Sequence, residues 1–180
     1  MEERSRRLRL IPATAESVKL ETESLGRLGE LIGAHVPNDW PPETLRDALP
    51  VFLEWHTEHP DWHGWFGWYA VRLDGPSPVL CGSVGFKGRA DAVGMVEIGY
   101  SVLPDHQGVG LATEMVAKLV EWAWGQEGVR SIEAGTTLAN PASVRVLERT
   151  GFQLASTNSE TGAVRYRHCG GEGHPTTRWS

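Results

Sequence analysis

The stretch PDHQGVGLATEM, residues 104–115, limits more than any other what this chain can fold into. Glycine in a helix interior costs about 1 kcal/mol relative to alanine. Yet Gly108, Gly110 and the small Ala112 stand where a helical pattern begins, with Ala112, Met115, Val116, Leu119, Val120 and Ala123 at helical spacing. Small residues in a row at such a place point to a backbone that something approaches closely. A loop of this kind aims several N–H groups at one spot, and the helix behind it adds the positive end of its dipole. An anion can bind there without any lysine.

The flanks give the topology. RLRLIPAT alternates as a strand does. Thr14 can cap a following helix that carries Val18, Leu25, Leu28, Leu31 and Ile32 on one face and closes at Gly33. VPNDWPP is a loop. Leu45, Ala48, Leu49, Phe52 and Leu53 then recur at helical spacing across Pro50, which predicts a kink or two short helices. WFGWYAVRL, VLCGSVGF and MVEIGYSVL are three strands separated by the turns DGPSP and GRADAVG, an antiparallel meander over residues 65–103. The glycine stretch then opens a helix that runs to about Trp124, with Glu114 and Lys118 spaced as a favourable i,i+4 pair on its polar face. VRSIEAGT is a buried strand. In NPASVRVLERTGF, Asn140 caps a helix, Pro141 takes its first position and Gly151 stops it. FQLAS and AVRYRHC are two last strands. The expectation is a single mixed α/β domain over 1–169, a mostly antiparallel sheet of six or seven strands with helices on both faces, followed by a flexible tail over 170–180.

Three anion sites fit a glycine-rich helix start. A P-loop needs Lys and Ser/Thr directly after its last glycine, and Leu111 and Ala112 stand there. A dinucleotide fingerprint has Gly108 and Gly110 in place and an acidic residue, Glu133, on the next strand. Its third glycine is Thr113, however, and PDHQ separates the turn from its strand. The third possibility is a pyrophosphate cradle built from backbone alone. The run Gln107, Gly108, Val109, Gly110, Leu111, Ala112 resembles the acyl-CoA signature of the GNAT superfamily of N-acyltransferases: Arg or Gln, two residues, Gly, one residue, then Gly or Ala. VEIGYSVLP before it is similar to that family's central strand. NPASVRVLERTGF after it is similar to a second motif, Asn-x-x-Ser leading into a helix that ends in Gly-Phe. The likeness follows element order over residues 8–168, is sharp over 96–152, and looks closest to the branch that acetylates ribosomal-protein N-termini.

The resemblance implies acetyl-CoA as cosubstrate, lying where two central strands splay apart. It implies backbone groups of Val102 and Leu103 for the pantetheine arm, with the Val102 N–H on the thioester carbonyl. The N–H groups from Gln107 to Ala112 would take the pyrophosphate, and Asn140, besides capping its helix, would contact CoA. It also implies Glu97 as a base working through water and Ser143 as the acid, or as a hydrogen bond to sulfur. Each has a structural alternative: Glu97 as a surface residue fastening a neighbouring strand, Ser143 as an ordinary first-turn cap.

EWHTEHPDWHGWFGWY holds four of the eight tryptophans and several carboxylates and histidines. Its spacing matches no metal motif, and no metal is expected. Aromatic rings beside carboxylates suit an amine or ammonium group. Trp55, His56 and Trp65 are therefore expected at a substrate wall, and some tryptophans in the core. The acceptor is a small-molecule amine or a peptide N-terminus. A formal net charge of −6 argues against nucleic acid, and the Arg4, Arg6, Arg7, Arg9 group reads as a solvated lead-in to the first strand. No apolar run reaches membrane-spanning length. Two cysteines, Cys81 and Cys169, suit a reducing cytoplasm. The resemblance allows a homodimer formed through sheet edges. The function expected is acetyl transfer to a primary amine. The alternatives are a non-catalytic acyl-CoA-binding module and a dinucleotide-binding oxidoreductase.

Overall fold

The computed structural model describes residues 2–170. Residues 171–180 of the expected tail lie outside the described residues. The strands are β1 (Glu3–Arg4), β2 (Leu8–Pro12), β3 (Trp68–Arg72), β4 (Val79–Phe86), β5 (Met95–Val102), β6 (Ser131–Thr137), β7 (Gln153–Thr157) and β8 (Ala163–His168). The helices are α1 (Ala15–Glu23), α2 (Leu25–Ile32), α3 (Glu43–Arg46), α4 (Leu49–Glu58), α5 (Leu111–Trp124) and α6 (Pro141–Arg149). The sheet order is β1-β2-β3-β4-β5-β6-β8-β7. It has eight strands, not six or seven: the two-residue β1, too short to show any alternation, adds an edge strand by pairing Glu3 with Leu10 and Arg4 with Arg9.

Local chemistry sets most boundaries. Thr14 caps α1 in a capping box with Ser17. Ser24 ends α1 and caps α2, so the long N-terminal helix is two helices, closed by Gly33. Pro50 lies in the first turn of α4, where a missing N–H costs nothing, so the chain forms two short helices and not a kinked one. Asn140 caps α6 by accepting from the Ser143 N–H at 3.0 Å, with Pro141 at the first position.

The sheet separates two cores. On one face, Met115, Val116, Leu119 and Ala123 of α5 and Leu147 of α6 pack on Leu10, Val84, Phe86, Val96, Ile98 and Ile132. On the other, Val18, Leu20, Leu28, Ile32 and Leu49 of α1, α2 and α4 pack on Tyr69, Val71, Leu80 and Leu103. One expected contact is replaced. Glu114 meets Arg7 at 2.8 Å, and Lys118 meets Glu3 and Glu121 at 3.3 and 3.0 Å, so α5 is fastened to the N-terminal strands. An i,i+4 pair at a helix surface is worth only a few tenths of a kcal/mol, and Glu3 of β1 and Arg7, just before β2, displace it.

Candidate active site

The central feature is a break in strand pairing. β4 and β5 are antiparallel and paired from Phe86↔Ile98 to Gly82↔Val102. β5 and β6 are parallel and paired only at Met95↔Ser131, Val96↔Ile132 and Glu97↔Glu133. From Ile98 onward β5 has no β6 partner. Backbone groups alternate sides along a strand. The Leu103 N–H donates to the Cys81 carbonyl at 2.9 Å, on the β4 side, so the Val102 and Tyr100 N–H groups point the other way, into the cleft. Leu103 itself is a correction to the sequence reading. Its N–H is spent on Cys81, its carbonyl accepts from the His106 N–H at 2.9 Å, and its side chain is buried. Of the two residues, only Val102 turns a backbone N–H toward the gap. Its carbonyl accepts from Gln107 Nε2 at 2.8 Å, which gives Gln107 a local task in holding the strand end.

The glycine loop lies at the mouth of this cleft. A single 3₁₀ turn, Pro104–His106, carries the chain from β5 into it. Gly108 and Gly110 adopt φ of +77° and +86°, the left-handed region that residues with a Cβ enter only at a cost. Gly110 is the N-cap of α5, and no side chain caps that end. The first N–H groups of α5, from Leu111 and Ala112 on, therefore have no acceptor within their own helix. Gln107, Gly108, Val109 and Gly110 are all exposed, while the Leu111 side chain is buried beneath them. Arg7, expected in a solvated lead-in to the first strand, is instead paired with α5 and the loop. Its guanidinium donates to Glu114 at 2.8 Å and to the Val109 carbonyl at 3.0 Å, which places a cation beside the loop. Nothing local marks Arg7, since its partners lie more than 100 residues along the chain.

Glu97 sits at the root of the cleft, in register with Glu133. Lys87 Nζ lies 2.5 Å and Arg165 3.3 Å from its carboxylate. Partial burial pushes the Glu97 pKa up, but the hydrogen bonds and charges of Lys87 and Arg165 outweigh it, and the net direction is down. Glu133 accepts two hydrogen bonds from Arg167, at 2.9 and 2.6 Å, so the acidic residue that a dinucleotide ribose would need is already engaged. Ser143, in the first turn of α6, is 2.8 Å from the hydroxyl of Tyr100 on β5. Burial raises the Tyr100 pKa, with a lesser opposing effect from Ser143, so the phenol stays protonated. Tyr100 was not singled out from the sequence. Its place three residues beyond Glu97, on the pleat face toward α6, was the available signal.

On the opposite face of the sheet, a cavity of about 390 Å³ opens between α1, α4 and strands β3 to β5. Trp55 and His56 line it. Trp65 does not. It is buried in the other core, against Trp122 at 5.1 Å and Phe86 at 5.7 Å, because it precedes β3 on the side that α5 covers. Trp68 and Trp122 join it there, so part of the tryptophan excess is packing. The cavity also holds a residue that the sequence did not flag, Glu21 of α1. Among the described residues no three His, Cys, Asp or Glu side chains gather in a way that could hold a metal, and no helix is long and apolar enough to cross a membrane.

Comparison with known proteins accords with this geometry. A match to the Acetyltransferase (GNAT) domain family spans residues 7–153. The chain is 31% identical over 137 residues to an uncharacterized N-acetyltransferase of Bacillus subtilis (strain 168), YjdG, covering 76% of this chain and 77% of the relative. Its fold is similar to that of RimL, a ribosomal L7/L12 alpha-N-protein acetyltransferase solved with coenzyme A, with a TM-score of 0.61 at 17% identity over 92% of this chain and 95% of the other. It is similar to the same degree to the microcin C7 self-immunity acetyltransferase MccE, solved with acetyl-CoA and AMP, with a TM-score of 0.61 at 17% identity over 92% and 93%. A domain match over most of the chain, a relative of that identity and a sheet parted beside a glycine-opened helix agree: the chain belongs to the GNAT family of acetyltransferases.

Proposed function

We propose that the protein transfers the acetyl group of acetyl-CoA to a primary amine by direct attack. The observation that carries this is the end of β5–β6 pairing at Glu97 and Glu133, with the uncapped start of α5 at the mouth of the gap. The N–H groups at Gln107–Ala112 receive the pyrophosphate, and the pantetheine arm runs along the free side of β5 toward Val102. A smaller recess of about 240 Å³, lined by Ser101, Val102, Pro104 and Gln107, lies on that route.

In the reaction the amine lone pair attacks the thioester carbonyl carbon, a C–N bond forms and the C–S bond breaks. The Val102 N–H stabilises the developing oxyanion, a contribution of about 3 kcal/mol for a donor of this type. The amine must first lose a proton, since a lysine-like amine has a pKa of about 10.4 and an α-amine about 8. Glu97 takes that proton through water, and its ion pairs keep it in the charged form that can accept one. The thiolate leaving group is met by the Ser143 hydroxyl, which Tyr100 orients, and takes up the second proton that the nitrogen sheds as the amide forms. Asn140 holds the start of α6 and so the position of Ser143. We place the protein in the cytoplasm, where its two free thiols, Cys81 and Cys169, would stay reduced.

The test is titration with acetyl-CoA and with NAD(P), followed by thiol release across an amine panel and mass gain of the product. Binding of acetyl-CoA with acetylated product supports transfer. Binding without thiol release supports the non-catalytic module, and binding of NAD(P) alone supports the dinucleotide enzyme.

A further inference from the structure

The acceptor cavity is apolar over most of its wall, with one buried charge. Glu21 is 7% exposed and lines it. Its Oε2 accepts from Trp40 Nε1 at 2.9 Å and its Oε1 from the Tyr69 hydroxyl at 2.7 Å. Both donors are neutral, and among the described residues no ion pair involves Glu21. A buried carboxylate with two neutral partners is costly, and a cation brought to it recovers that cost. The surrounding wall suits an organic cation. Trp40, Phe52, Trp55, Phe66 and Tyr69 line the cavity, and aromatic faces attract ammonium groups that are partly desolvated. His56 adds a second polar group. It is 8% exposed, lines the same cavity, and its Nε2 has no hydrogen-bond partner among the described residues. Burial pushes the Glu21 pKa to about 7, the behaviour of a carboxyl that lacks its counter-ion.

Register locates this charge relative to the cleft. Tyr69 on β3 pairs with Ser83 on β4, and Ser83 pairs with Ser101 on β5, next to Val102. Glu21, above Tyr69, is thus about two strand spacings, roughly 10 Å, across the sheet from the strand that presents the thioester. An ammonium held at Glu21 is too far away to be the nitrogen that reacts.

We infer that the acceptor is an organic cation with two nitrogens joined by an apolar spacer: one stays protonated and docks on Glu21 within the aromatic wall, while the other, a primary amine, reaches the cleft and is acetylated. Glu21 is on this view a specificity-determining residue. The inference rests on the acetyltransferase reading above and names its substrate class. Multiply hydroxylated amines are disfavoured, because the wall offers their hydroxyls few partners.

The experiment has two arms. The first measures acetylation of straight-chain α,ω-diamines of graded length, each against the n-alkyl monoamine of the same length. The wild type should prefer the diamine in kcat/KM by about tenfold or more, the scale of one charge-assisted hydrogen bond, once its nitrogens are separated by about 10 Å. Glu21→Gln should bring the ratio near one. Glu21→Asp, which keeps the charge one methylene further back, should retain the preference and move its optimum to a longer diamine, and so guards against a Gln variant that fails to fold. The second arm measures calorimetric binding of butyltrimethylammonium, which cannot be acetylated. It should bind the wild type and Glu21→Asp, but not a folded Glu21→Gln. Acetylation of monoamines and diamines alike, or equal binding of the ammonium probe to wild type and Glu21→Gln, overturns the inference and leaves the acetyltransferase standing. Probe binding that depends on Glu21, with no thiol released by any amine, keeps the cation site and removes the acetyltransferase reading instead.

Discussion

Glu97 of β5 and Glu133 of β6 stand in register as the last pair before the two strands part, and Lys87, Arg165 and Arg167 hold both carboxylates. Two like charges side by side would weaken the pairing that joins the halves of the sheet. The three cations turn this pair into the fastening at the root of the cleft.

That arrangement separates two roles for Glu97. As the base, Glu97→Gln should lower turnover by about a hundredfold, the scale of general base catalysis, with acetyl-CoA affinity near normal. The Glu97 pKa is lowered from the usual carboxylate value, so at neutral pH it is in its base form and the acidic limb of kcat/KM near neutrality belongs to the amine. Initial rates across pH with a single amine check this. Unchanged turnover of the variant would leave Glu97 with the fastening role alone.

The Tyr100–Ser143 pair crosses from β5 to α6 beside the gap, with 2.8 Å between the hydroxyls. Ser143→Ala should slow turnover while leaving the helix cap intact, since the cap uses the Ser143 backbone N–H. Tyr100→Phe should cost about 1 kcal/mol of stability. A double-mutant cycle by denaturant unfolding should give a coupling energy of about 1 kcal/mol. Additive effects would mean that the hydroxyls act independently.

The glycine loop predicts contrasting effects at its two positive-φ positions. A Cβ at Gly108 meets no atom within 4 Å, so Gly108→Ala carries only the cost of a left-handed backbone, about 1–2 kcal/mol, read as a lower Tm. Gly110→Glu adds bulk and negative charge where the pyrophosphate is expected, and should abolish acetyl-CoA binding in a calorimetric titration. Retained affinity in a folded Gly110→Glu protein would argue against the cradle.

Burial sets Glu21 and His56 against each other in pH dependence. The Glu21 pKa is raised to about 7, so its contribution to stability is complete below the unfolded value and is lost as pH rises through 7. That loss is about 3 kcal/mol at most. The His56 pKa is lowered to about 4 by burial and, to a lesser extent, by the charge of His63, so its contribution is complete above the unfolded value of 6.5 and is lost as pH falls toward 4. The two windows overlap between about pH 4.5 and 6.5, where the opposing slopes nearly cancel, so the wild type should change little in stability there. Glu21→Gln should expose the His56 loss as pH falls from 6.5 toward 4, and His56→Gln the Glu21 loss as pH rises from 4.5 through 7, as measured by urea midpoints at stepped pH.

Much of the fold was legible because its signals are local. Thr14, Asn140 and Pro141 mark helix ends through features a few residues long, and the alternation of β3 to β5 shows a meander directly. The parts of the site that were missed have partners far along the chain. Arg7 meets Glu114, Tyr100 meets Ser143, and Glu21 meets Tyr69 across separations of 107, 43 and 48 residues. No periodicity encodes such pairs. Glu21 in particular lies within α1 among polar neighbours, where a carboxylate reads as a solvated face. Only the packing of Trp40 and Tyr69 around it shows that it is inside. Trp65 fails in the opposite sense: sequence can count tryptophans, but not tell which side of a sheet each one faces after a loop.

By itself the sequence determined the order of the elements, the glycine-opened helix and the motif that marks the family, because backbone conformation and helix capping follow from residues close in the chain. Tertiary structure alone decided where the sheet parts, which backbone groups face the gap and which carboxylate is buried in the cavity between α1, α4 and the sheet. Those outcomes depend on burial and charge supplied by residues that meet only once the chain has folded.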